Sequence, residues 1–116
     1  MSGGGSFAKL PQPPYYAVIF SSRRRLREND GYDGTSERLV ALVRDQPGFL
    51  GVESARGDDG LGITVAYFES EDAIAAWKRN TEHAPARERG RAEWYEGYEI
   101  RVARVERAYG WRREES

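Results

Sequence analysis

No cysteine occurs anywhere in the chain, which removes disulfides, thiolate nucleophiles and every Cys-based zinc or iron–sulfur site. A single histidine, His83, beside scattered carboxylates lacks the spacing of a metal-ligand set. No metal is therefore expected. Charge of one sign is also missing: 19 acidic residues stand against 18 basic ones, for a net charge of −1. That balance excludes a global field drawing the protein to nucleic acid or an anionic membrane, and the arginines are interleaved with acids rather than set in a basic stripe with stacking aromatics. Lysine is scarce, with only Lys9 and Lys78. No apolar run approaches the roughly 20 residues of a membrane span, and Met1–Pro14 lacks the apolar core of a signal peptide. The expectation is a soluble, cytoplasmic protein.

What is present fills one domain of modest core, in a chain of 116 residues. The opening "MSGGGSFAKLPQPP" is Gly, Ser and Pro around little to bury, and reads as a flexible leader over 1–14. The domain spans 15–111, and 112–116 reads as a disordered tail. "YYAVIFSS" predicts a strand apolar at both parities, with Tyr16, Val18 and Phe20 on one side and Tyr15, Ala17 and Ile19 on the other. A charged, Asn-Asp-Gly-bearing loop follows. Leu39, Leu42 and Val43 recur at helical spacing over 35–46, and Pro47-Gly48 stops that helix. "FLGVESARG" and "LGITVAYFE" then predict a hairpin around Asp58-Asp59-Gly60. Ser70 ahead of Glu71 and Asp72 offers an N-cap for a helix through Ile74 and Trp77, and Pro85 opens a second helical segment toward Trp94-Tyr95. The last strand is "YEIRVARVERAYGW", whose apolar parity changes near Val102-Ala103, where a bulge is expected.

The order β-α-β-β-α-β folds most simply as an antiparallel four-stranded sheet with both helices on one face, an α+β ferredoxin-like arrangement. Two of the strands are apolar on both faces, so the uncovered face predicts an interface. The plainest solution is a homodimer in which two sheets pack face to face and close an α+β barrel.

The stretches "QPGFLGVES", "ITVAYFESEDAIAAWKRNTEH" and "YEIRVARVERAYG" resemble the antibiotic biosynthesis monooxygenase-like family of the dimeric α+β barrel superfamily. The resemblance implies a pocket between sheet and helices. It implies oxidation of polycyclic phenols by dioxygen without metal or flavin, the activated phenolate itself supplying the electrons. The protein would add a dry apolar cavity, a base and orientation. A haem-degrading branch of the family carries an Asn on the first strand and a haem-ligating His about ten residues after a helical Trp. Here "YYAVIFSS" has no Asn, and Arg87 stands ten residues after Trp77, which disfavours haem.

His83 has the only side chain whose ordinary pKa lies near neutrality, which makes it the candidate catalytic base. Trp77, Trp94, Tyr95, Tyr98 and Phe20 are the candidate lining of the substrate pocket. Each has a structural alternative: a helix-terminal His, a core Trp, aromatics packing over the barrel end. Two function classes follow, with haem binding or degradation ranked below both. One is a cofactor-independent monooxygenase acting on a small aromatic or quinol-type compound. The other is a noncatalytic ligand-binding or stress-related dimer using the same pocket.

Overall fold

A computed structural model describes residues 7–24, 41–79 and 95–113. Its strands are β1 (Tyr15–Arg24), β2 (Phe49–Arg56), β3 (Leu61–Phe68) and β4 (Tyr95–Val105). They form one antiparallel sheet in the order β2-β3-β1-β4. Residues 41–44 are helical ahead of β2, and a helix Glu71–Lys78 follows β3. The fold is α+β and ferredoxin-like, with β1 and β3 at the centre of the sheet. The remainder of the two expected helical segments, 35–40 and 85–94, lies outside the described residues. Among the described residues no helix is long and apolar enough to cross a membrane.

Local chemistry accounts for each turn. The Phe49 N–H donates to Gln46 O at 3.1 Å, and Gly48, at φ +86°, offers its carbonyl to the Glu69 N–H at 2.8 Å. The end of one helix is thereby tied to the start of the next. Ser70 is extended and its Oγ accepts from the Ala73 N–H at 3.1 Å, while Glu71 and Asp72 occupy the positive end of the helix dipole. In the hairpin, the Asp59 carboxylate accepts from the Leu61 N–H at 3.0 Å and the Gly57 N–H donates to Leu61 O at 2.9 Å.

The parity of each strand divides the sheet into two faces. Toward the helix, Phe68 is fully buried and packs with Val43, Ala73 and Ile74, and Tyr16, Val18, Phe49, Ala66 and Trp77 close around them. Phe49 meets Phe68 edge to face, with centroids 5.8 Å apart. Burying one such ring contributes about 1.5–3 kcal/mol. On the far face Tyr15 and Ala17 are each only 5% exposed. There Ala8 and Leu10 lie so close to β2 that a Cβ on Gly51 would stand 3.0 Å from Ala8 Cβ. Leu61 and Ile63, by contrast, are 47% and 49% exposed on that face.

One expectation is corrected. β4 pairs with β1 without interruption through Val102 and Ala103, so no bulge lies there. The change of parity reflects a strand that carries apolar residues on both faces. The irregularity sits at the other end, where Arg23 pairs Gly97 and Arg24 pairs Tyr95, leaving Glu96 as the extra residue. β4 also begins three residues earlier and ends six residues sooner than the apolar stretch suggests.

Candidate functional site

The bulge at Glu96 decides where two aromatic rings point. In a regular strand, residues three apart face opposite sides. With Glu96 inserted, Tyr95 and Tyr98 both project toward Phe20 on the helix side of the sheet. The three rings form a closed cluster: Phe20 lies 5.6 Å from Tyr95 and 5.3 Å from Tyr98, and the two tyrosines are 5.9 Å apart. Trp77, partly buried, packs against the Phe68 and Ile74 cluster on the same side of the sheet. Three of the six candidate residues are thus brought together, and Trp77 lies apart from them against the core cluster. His83 and Trp94 lie outside the described residues.

Polar groups that sequence reading did not single out flank this cluster. Register places Ser54, Thr64, Phe20 and Ile100 in one row across the four strands, and Arg56, Gly62, Ser22 and Tyr98 in the next. The Ser54 and Thr64 hydroxyls are 2.7 Å apart. Arg56 reaches over β3 to donate to Ser22 Oγ at 2.9 Å and to the carbonyl of Gly60. It passes where a Gly62 side chain would stand, since a Cβ there would be 2.6 Å from Arg56 Cζ. Ser22 itself is buried. The signal that reveals these residues is pairing register, which becomes visible only once β2, β3 and β1 are aligned.

The far face holds a second polar arrangement. Tyr67 donates its hydroxyl to Glu53 Oε1 at 2.8 Å, and the other oxygen of that carboxylate accepts from the Ala8 N–H at 3.0 Å. Burial, then the hydrogen bond and negative charge of Glu53, push the Tyr67 hydroxyl up to about 12. Tyr15 meets Tyr67 edge to face at 5.7 Å. An open cavity of about 560 Å³ lies between the N-terminal segment and the C-terminal tail, lined among others by Phe7, Leu10, Tyr15, Tyr109 and Trp111. It shares no residue with the Phe20 cluster. Among the described residues no group of three or more His, Asp or Glu side chains converges as a metal site would require.

Comparison with known proteins agrees with this architecture. Residues 33–89 match the sequence model of the antibiotic biosynthesis monooxygenase family. Protein YqjZ of Bacillus subtilis (strain 168), itself uncharacterized, is 60% identical over 101 residues, covering 86% of this chain and 87% of YqjZ. The chain belongs to the antibiotic biosynthesis monooxygenase family. Among solved structures it superposes on SnoaB, a cofactor-independent oxygenase from Streptomyces nogalater, with a TM-score of 0.70 at 15% identity, over 83% of this chain and 97% of SnoaB. SO0527 from Shewanella oneidensis gives a TM-score of 0.71 at 12% identity, over 88% and 100% of the two chains. At such identities the likeness speaks for the fold.

Proposed function

We propose that the protein is a cofactor-independent monooxygenase that oxidises a small aromatic or quinol-type compound with dioxygen, acting as a cytoplasmic homodimer. The observation that carries this reading is the Phe20–Tyr95–Tyr98 cluster, a set of flat apolar faces with two hydroxyls, on the side of the sheet where the family's pocket is expected. His83 acts as the proton acceptor, and Trp77 and Trp94 shape the remaining walls. On an anthrone-type compound, a phenol-activated CH2 gives a proton to His83, and the resulting carbanion transfers electrons to dioxygen and forms a C–O bond. His83 returns its proton to the peroxide, and loss of the carbon's second hydrogen together with the outer hydroxyl as water breaks the O–O bond and leaves a carbonyl. One oxygen atom stays in the product and the other leaves as water, so the four-electron oxidation of the carbon balances the reduction of dioxygen. The chain contributes orientation and exclusion of water rather than a redox centre.

Face-to-face dimerisation draws its support from the half-exposed Leu61 and Ile63 on the far face, an apolar surface of the kind that a second sheet covers. A second reading, a noncatalytic ligand-binding or stress-related dimer, is favoured by one observation: Trp77 is packed into the core cluster.

The test is oxygen uptake by the purified, metal-free protein on a panel of hydroquinones and anthrones, with His83→Ala alongside. Uptake that falls at least tenfold in the variant is the expected result. A well-folded protein that consumes no oxygen on any compound moves the assignment to the noncatalytic dimer.

A further inference from the structure

The Ser54–Thr64 pair has the geometry of a ligand contact as well as of a sheet contact. The two hydroxyl oxygens are 2.7 Å apart, and a single hydrogen occupies the space between them. Whichever hydroxyl accepts that hydrogen keeps its own and must direct it elsewhere. The pair therefore always keeps one hydroxyl hydrogen to donate to a further acceptor, whichever way it is arranged. Ser54 is exposed and Thr64 half-buried, so this donor opens onto accessible space rather than into the sheet. Thr64 is the register partner of Phe20, one strand away on the same face. Adjacent strands are about 4.8 Å apart, the distance over which an oxygen on the edge of a ring stacked at Phe20 reaches its neighbour.

We propose that the Ser54–Thr64 hydroxyl pair selects ligands by donating a hydrogen bond to an edge oxygen, a quinone carbonyl or a phenolate, of a flat aromatic molecule lying on Phe20 and Tyr98. This rests on the reading of the Phe20 cluster as an aromatic-binding surface and adds the group that distinguishes an oxygenated ring from a hydrocarbon of the same shape. Ser22, in the adjacent row on β1, is buried under Arg56, so the accessible hydroxyl beside Phe20 on β3 is that of Thr64 in the pair. A site built to hydrogen-bond an oxygen discriminates more strongly than one relying on apolar shape alone.

The experiment is equilibrium binding of 1,4-naphthoquinone and of naphthalene, followed by quenching of intrinsic fluorescence, for the unaltered protein, Thr64→Ser, and the double variant Ser54→Ala with Thr64→Val. The absence of cysteine leaves no thiol for the quinone to alkylate. The unaltered protein is expected to prefer the quinone, and the double variant to lose about tenfold in quinone affinity while its naphthalene affinity and melting temperature hold. Thr64→Ser, which keeps the hydroxyl, should retain the preference. Loss of preference in Thr64→Ser as large as in the double variant would assign the effect to packing of the Thr64 methyl and overturn the proposal. So would a double variant that still prefers the quinone, with the aromatic surface left standing. If the unaltered protein binds neither compound, both the hydroxyl pair's role and the aromatic surface itself are refuted.

Discussion

Replacing Gly48 with alanine sets two costs in one place. The first is backbone: Gly48 sits at φ +86°, where an L side chain costs about 1–2 kcal/mol. The second is space. A Cβ at this position would stand 2.6 Å from Ala73 Cβ and 3.1 Å from Glu69 Cγ, against a comfortable carbon–carbon separation of about 3.5–4.0 Å. Forcing atoms apart in a packed site costs about 1–3 kcal/mol, so Gly48→Ala should destabilise the domain by about 2–5 kcal/mol, a large part of the 5–15 typical of whole domains. A double-mutant cycle separates the two. Ala73→Gly removes the carbon that the new methyl strikes, at a cost of its own of about 1 kcal/mol for glycine in a helix and about 0.8 kcal/mol for the buried methyl. In that background Gly48→Ala should cost the backbone share and a small shift of the exposed Glu69 side chain, giving a coupling of about 1–3 kcal/mol in the direction of rescue. Urea unfolding followed by far-UV circular dichroism reads both numbers. If Gly48→Ala lies within about 0.5 kcal/mol of the parent, or costs the same in both backgrounds, the close approach of the Pro47-Gly48 turn to the Glu71–Lys78 helix is wrong.

The Tyr67 hydroxyl, raised to about 12 by burial and by Glu53, gives a pH signature. In the unfolded chain a tyrosine ionises near 10, so between 10 and 12 the folded state holds the proton that the unfolded state releases. The Tyr67 contribution to stability should be constant below 10 and decline through that window, by less than the full linkage slope of about 1.4 kcal/mol per pH unit because the ring is only half-buried; Tyr67→Phe should flatten the decline, and identical alkaline curves for the two proteins would refute the assignment. Face-to-face pairing of sheets predicts a dimer by sedimentation equilibrium at micromolar concentration, and Ile63→Arg should shift it toward monomer. A monomeric parent protein would remove the barrel.

Most of the architecture was legible in the sequence because it is written in local chemistry. Asp58-Asp59-Gly60 marks a hairpin, Ser70-Glu71-Asp72 marks a helix start, and the strand parities follow the register that the sheet adopts. The site was less legible, because its geometry depends on pairing between strands. Tyr95 reads as the end of a helical segment and Tyr98 as the start of the last strand, whereas the extra residue at Glu96 turns both toward Phe20 from within β4. The shift of parity at Val102-Ala103 suggested a bulge in the wrong place, since a strand apolar on both faces looks, in one dimension, like a strand with a residue inserted. Ser54 and Thr64 are ordinary strand residues until register brings their oxygens to 2.7 Å.

The central claim is that flat aromatic molecules bind on the helix side of the sheet at Phe20, and a crystal structure of the protein with 1,4-naphthoquinone tests it most directly. The account predicts a ring lying on Phe20 and Tyr98 with one carbonyl oxygen within about 3 Å of the Ser54 or Thr64 hydroxyl. A ring bound instead in the open cavity between the N-terminal segment and the tail, beside Tyr15 and Trp111, would contradict it.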